Sequence, residues 1–377
     1  MKKPPAARAT PYVGPDPIET GERLFGRDPE VETLVDLMIA KRIVVLHSPS
    51  GAGKSSLVQA GLIPALREEG FVDLPVIRVN KEAPEFITQT AAPDELNRYT
   101  LSTLLSLESK PEQSLRLSSS ELASMSLTEY LARREGKIGS EARVLIFDQF
   151  EEILTVDPMD QVARDAFFSD VGKALRNPRC WSLFAMREDY VGSLDPYLKH
   201  VPTHLSVRMR LDFLGIDAAL EAIRRPAQPD EHVRSDEQVG QTDTFTSGAA
   251  QKLAIDLAQM LVRQPDRTWK QEPGTLVEPL HLQIVCKELW EAKPPDVDRI
   301  DRDALEAALT NVDEALTNYY TRSEIEALTV VDKVLADYYK KSVKETAEAT
   351  GVREWQIRHW FGLRLITTWD IRGQVME

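Results

Sequence analysis

The apolar positions change period along this chain. Val31, Leu34, Val35 and Met38 recur at i, i+3, i+4 and i+7, which predicts a helix over 28–40 with one buried face. Asp28 is placed to cap it, and Pro29 suits its first turn. Arg42–His47 is a short β-rich run bounded by a Ser/Pro/Gly loop, as in a buried strand of a parallel sheet. The loop leads into a helical stretch at Lys54–Ala60. Similar runs at Val76–Val79, Arg143–Phe147 and Trp181–Met186 predict further strands, with a last one at Leu205–Phe213. Helical patterns near Thr100–Leu107, Leu127–Arg134 and 161–175 lie between them. Strands alternating with helices predict an α/β fold with a doubly wound parallel sheet.

After Gly215 the strand signal fades. Helical patterns cover 216–226, 248–263 and 279–292, then 303–318, 323–340, 343–350 and 353–362, while 227–246 reads as polar loop. The predicted organisation is a mobile arm or extended lead-in at 1–20, an α/β domain at 21–214, an all-helical domain at 215–300 and a third unit at 301–377. In that unit Ser342-x-x-Glu345 has the form of a capping box, Thr350-Gly351 turns the chain, and Arg353–Phe361 forms a second helix. One reading is a DNA-binding helix-turn-helix with Arg353, Gln356 and Arg358 facing bases. The preferred reading is a module that packs on the α/β domain and transmits its state.

Charge supports that preference. The net charge of −14 over 377 residues argues against nucleic acid as the main partner, because a duplex binder needs a basic face. No apolar run approaches the roughly 20 residues that span a bilayer, and no signal peptide opens the chain. Cys180 and Cys286 sit in apolar stretches and read as buried thiols. These features point to the cytoplasm and to no membrane partner.

The candidate chemistry starts at Ser48-Pro-Ser-Gly-Ala-Gly-Lys-Ser55. It matches the phosphate-loop pattern G-x-x-x-x-G-K-[ST] except that Ser48 replaces the first glycine. Gly51 and Gly53 let the backbone curl around phosphate oxygens, and the helix N-terminus adds positive charge. Ser50, Gly51, Ala52, Gly53, Lys54, Ser55 and Ser56 are the candidate nucleotide contacts. Lys54 is expected on the β- and γ-phosphates, Ser55 on Mg²⁺ and Ser56 on the α-phosphate. A plain Gly/Ser turn with a solvated lysine is the bland alternative, and the flanking strand and helix argue against it.

Val144–Phe147 ends in Asp148, and such a strand is expected beside the phosphate-loop strand with its aspartate on Mg²⁺. Glu151 or Glu152 is placed to polarise the attacking water, and the sequence does not choose between them. A solvated acidic helix start is the alternative for this cluster. Arg187 ends its strand facing the γ-phosphate or pairs with Glu188 or Asp189. His47 reads as a packing or hydrogen-bonding residue, and Arg224-Arg225 as solvated or ion-paired.

Together these residues resemble the novel STAND NTPases of bacteria, signal transduction ATPases with numerous domains. The likeness lies in Leu24-Phe25-Gly26-Arg27, in the loop continuing to Pro64, in Asp148-Gln149-Phe150-Glu151-Glu152, in Met186–Tyr190 and in Pro279-Leu280. The resemblance implies a P-loop NTPase domain followed by a helical lid and an incomplete winged-helix-like domain. It implies a switch that rests with ADP, exchanges it for ATP, hydrolyses slowly with Mg²⁺, forms homo-oligomers in the ATP state and in many relatives defends against phage. Phe25, Gly26 and Arg27 would line the adenine side, Pro279 would contact the base, and Arg187 would be the sensor. Val277 stands where the group usually has glycine. Effector and sensor modules are expected outside this sequence. An ATP-dependent transcription regulator is the alternative function.

Overall fold

The structure, a computed structural model, describes residues 10–81, 97–109, 117–138, 142–226, 244–263, 269–293, 299–317 and 329–364. Its centre is a five-stranded parallel sheet of β1 (Ile43–Ser48), β2 (Val72–Asp73), β3 (Arg143–Phe147), β4 (Cys180–Arg187) and β5 (Arg208–Arg210), in the order β2-β3-β4-β1-β5. Residues alternate between two apolar layers. Val45, Leu145, Phe147 and Phe184 face one, while Val44, Leu46, Ile146 and Leu183 face the other. Both faces are buried, so these strands read as continuous apolar runs. Each fully buried aliphatic side chain contributes about 1.5–3 kcal/mol.

The order corrects one expectation: β3 does not lie beside β1. The eight-residue β4 sits between them and pairs with both, Ser182 standing opposite Ile43 on one side and Leu145 on the other. Strand order is set by long crossovers, which no local pattern encodes. Two strands are also shorter than the sequence suggests. Only Ile77 of Val76–Val79 bridges to Phe147, because Pro75 has no amide to continue the ladder from β2. Of Leu205–Phe213, only Arg208–Arg210 pairs, because His204 and Leu205 adopt φ values of 51° and 48° and break the extended run.

Helix α1 (Asp28–Lys41) buries Leu34, Val35 and Met38 as the period predicts. Asp28 is not its cap: Arg27 holds that position, and Asp28 lies in the first turn, where its charge suits the helix dipole. Helix α2 starts as Lys54–Ser56, widens into a π-helical stretch at Leu57–Leu62 and resumes as Ile63–Glu68. Pro64, without an amide to donate, follows the wide turn. Helices α3 (Arg98–Leu107), α4 (Ser119–Ala123), α5 (Leu127–Ile138), α6 (Glu152–Thr155) and α7 (Gln161–Ala174) complete this part, with a 3-10 segment at Glu188–His200. Cys180 and Cys286 are free and buried, and burial pushes the Cys180 thiol up to about 11.

A third core joins α8 (Ile216–Arg224), α9 (Ser247–Leu257), α10 (Pro279–Ala292), α11 (Arg302–Leu316) and α12 (Val330–Thr350). This region is not all helical. Antiparallel pairs link β6 (Leu214–Gly215) to β9 (Leu276–Val277), and β7 (Gln259–Arg263) to β8 (Trp269–Pro273). The short run in β7 suits either period, and its pairing with β8 decides for strand. Of the expected loop at 227–246, residues 227–243 lie outside the described residues, as do 1–9 and 318–328.

Two further expectations change. The predicted capping box at Ser342 lies inside α12, whose actual box is Thr329 with Asp332. Spacing alone does not separate a helix start from a helix interior. Gly351, at φ 72°, ends α12, and α13 (Glu354–Arg364) follows after a short turn. At the other end, residues 10–20 are not a mobile arm. Tyr12 is 1% exposed in the third core, its hydroxyl against Ile223 O and Thr244 Oγ1.

Candidate functional site

The loop between β1 and α2 carries Gly51 and Gly53 at φ 82° and 88°, left-handed values that tolerate few side chains. Lys54 folds back over it, its Nζ donating to Ser48 Oγ at 2.7 Å. The serine that departs from the motif therefore holds the motif's lysine. Burial pulls the Lys54 pKa down, opposed chiefly by the charges of Glu151 and Asp148.

Ser55, at the start of α2, reaches across the end of β4 and donates to Asp148 Oδ2 at 2.8 Å. Asp148 is 1% exposed. A hydroxyl and a buried carboxylate this close are hard oxygen donors of the kind Mg²⁺ takes. The residues present fit that ion. The same Oδ2 accepts from Arg78 at 2.9 Å, a contact that the sequence reading missed. No motif marks Arg78: it lies within the short Val76–Val79 run that follows Pro75.

After Asp148 the chain turns sharply. Gln149 adopts φ 54°, unusual for a residue with a side chain, and the Phe150 amide donates to Ala185 O at 2.9 Å. This turn separates the two glutamates. Glu151 comes back to the end of β4, where its Oε2 accepts from the Arg187 amide at 3.2 Å. Glu152 lines a second cavity with Arg78, Lys81 and Ser106. Burial raises the pKa of both carboxyls, Lys54 opposing the shift at Glu151 and Arg78 at Glu152. The Arg187 guanidinium pairs with Asp189 at 2.6 Å.

A cavity of about 830 Å³ lies over the loop, within the range of small-molecule sites. The structure brings Phe25, Arg27, Ser50, Gly51, Ala52, Gly53, Lys54, Ser55, Ser56, Asp148, Glu151, Arg187 and Pro279 to its walls, but not Glu152 or His47. Gly26 lies beside it at φ 74°, where a Cβ would collide with Ala218 O. Arg27 reaches the cavity, yet its guanidinium is engaged by Glu30, Ala52 O and Asp212 O, which makes it a brace for the loop. Phe25 lies between Arg23 and Arg225, whose guanidinium carbons are 5.0 and 5.5 Å from its ring centre. Arg225 also pairs with Glu221, in line with the ion-paired reading. His47 is half-buried, and its Nδ1 has no hydrogen-bond partner among the described residues.

Two walls come from elsewhere in the chain. Pro279 opens α10 above the loop, its Cβ 3.8 Å from where a Cβ on Gly53 would stand. The segment from Val13 to Ile18 closes another side: Val13 N donates to Gln283 Oε1 at 3.1 Å and Ile18 N to Ser56 Oγ at 3.1 Å. The Pro-rich, aperiodic composition of residues 1–20 concealed that role.

A parallel sheet, a glycine loop opening a helix at the end of one strand, and a buried aspartate at the end of another define a P-loop NTPase. The family model described as Novel STAND NTPase 1 matches residues 11–346, and the chain belongs to that family. Among solved structures it is similar to the Aeropyrum pernix ORC2 protein in its ADPNP-ADP complexes, at 13% identity and a TM-score of 0.48, covering 96% of this chain and 85% of that one. It is also similar to the Walker-type ATPase PABY2304 of Pyrococcus abyssi, at 14% identity and a TM-score of 0.46, covering 83% and 79%. These likenesses are loose, and the family assignment stands on the sequence match. No curated protein matches the chain.

Proposed function

We propose that this chain is an ATP/ADP-controlled signalling switch of STAND type, which hydrolyses ATP slowly with Mg²⁺ and forms homo-oligomers in the ATP state. The observation that carries this reading is the composition of the cavity wall. The phosphate loop, the start of α10 and the segment before α1 all contribute to one cavity. A ligand that contacts all three couples to how they sit relative to one another.

In this reading residues 21–214 are the NTPase domain, 215–300 a helical lid and 301–377 a winged-helix-like domain. Lys54 binds the β- and γ-phosphates, with Ser50, Gly51, Ala52, Gly53 and Ser56 around them. Ser55 and Asp148 hold Mg²⁺, which supplies charge neutralisation at the phosphate oxygens. Glu151, on the cavity wall, takes the proton of the attacking water in preference to Glu152. Arg187 senses the γ-phosphate, while Phe25, Gly26 and Pro279 flank the base. Effector and sensor modules act from outside this sequence in the cytoplasm, and antiphage defence is the process suggested by the family.

The test is the nucleotide content of the purified protein, read by chromatography after denaturation. Near-stoichiometric ADP in the wild type, absent from Lys54→Ala, is expected. Empty wild-type protein would instead favour a rapidly exchanging ATPase.

A further inference from the structure

We propose that Arg78 is a resident cation on the Asp148 carboxylate, displaced when a divalent metal binds, and that it thereby sets how much Mg²⁺ the nucleotide site requires. This rests on the nucleotide reading above. The backbone fixes the placement: Ile77 N donates to Ile146 O at 2.8 Å and Asp148 N donates to Ile77 O at 3.0 Å. That register brings Arg78 alongside Asp148, where its Nη2 donates to Oδ2 at 2.9 Å. Ser55 donates to the same oxygen at 2.8 Å, and the Gln149 amide donates to Oδ1 at 3.0 Å. The oxygen that Ser55 reaches from the phosphate loop is therefore already paired with a cationic guanidinium.

A divalent ion and a guanidinium on one carboxylate oxygen repel each other, to a degree moderated by the partial exposure of the Arg78 side chain. In this scheme the incoming ion displaces Arg78, and the structure offers it a destination. The Arg78 side chain is 34% exposed and lines a cavity of about 380 Å³ with Glu152. The positive charge of Arg78 also acts on Glu152, whose carboxyl is half-buried and lines this second cavity. A swing into this cavity exchanges Asp148 for Glu152 as its partner. Glu152 is then an anchor for the displaced arginine. Arg78 is a positioning residue in this scheme, acting through Asp148.

The experiment compares wild type, Arg78→Met and Arg78→Lys. Mn²⁺ binding without nucleotide is measured by electron paramagnetic resonance, and fluorescent ADP binding is titrated with Mg²⁺ and repeated in EDTA. Arg78→Met is expected to lower the half-saturating metal concentration by about fivefold, as suits a partly exposed charge pair, while affinity in EDTA stays near wild type. Arg78→Lys, which keeps the charge, is expected to stay near the wild-type requirement. An unchanged metal requirement in Arg78→Met, or an equal loss of ADP affinity with and without metal, would overturn the proposal and leave the site intact. Wild-type protein that binds ADP in neither condition would overturn the site reading and this proposal with it.

Discussion

The amide of Leu280 donates to the carbonyl of Gly51 at 3.3 Å, which ties the first turn of α10 to the phosphate loop. The approach is close because residue 51 has no side chain. A Cβ there would collide with Glu278 Oε1, and the φ of 82° already favours glycine. Gly51→Ala is expected to cost about 1–3 kcal/mol in thermal unfolding and to weaken ADP binding. Glu278→Ala removes the collision but not the backbone strain, so the double variant should recover part of that loss. Strictly additive effects in the double-mutant cycle would show that the two positions do not meet.

Tyr12 anchors the segment that closes another wall of the cavity. Tyr12→Phe keeps the edge contact with Phe245, at 6.2 Å between ring centres, and loses only the hydroxyl bonds, a cost of about 1 kcal/mol. Tyr12→Ala should cost about 3–5 kcal/mol in denaturant unfolding. It should also weaken ADP binding, whereas Leu175→Ala, a cavity-forming change beneath the sheet, should not. Equal effects of the two on ADP affinity would disconnect the segment from the nucleotide.

Much of this was legible in the chain. The central strands were visible because both faces are buried, and α10 matched its predicted span because Pro279 marks its start. What failed was nonlocal or hidden in backbone geometry. No local pattern places β4 between β1 and β3. Adjacent Glu151 and Glu152 look equivalent until Gln149 turns left-handed and sends them to different cavities. Arg78 could not be found because its partner lies on another strand.

The C-terminal helix pair bears on the DNA-binding alternative. Arg358 is half-buried, donates to Glu354 at 3.4 Å and lies 5.3 Å over the Tyr339 ring centre, so it is already committed within its own module. No salt-sensitive shift of duplex DNA is expected at low micromolar protein. Such a shift, lost in Arg358→Ala, would restore the regulator reading.

Glu151 gives a prediction in two parts. Burial holds its carboxyl above the ordinary value of 4.5. The folded chain therefore retains this proton at pH values where the unfolded chain has lost it. Stability falls as pH rises from the unfolded value through the folded one, and stays lower above both. Glu151→Gln removes that cost. The variant should melt above wild type at about pH 7, and the gap should close as the pH falls towards 4.5. As the proposed base, Glu151 should also matter to turnover. Glu151→Gln is expected to slow ATP hydrolysis by about 10²-fold or more while retaining ADP, and Glu152→Gln at saturating Mg²⁺ should hydrolyse near the wild-type rate. The opposite pattern would move the base to Glu152, against its position outside the nucleotide cavity. A melting gap that does not change with pH would mean that ionisation of Glu151 is not linked to folding.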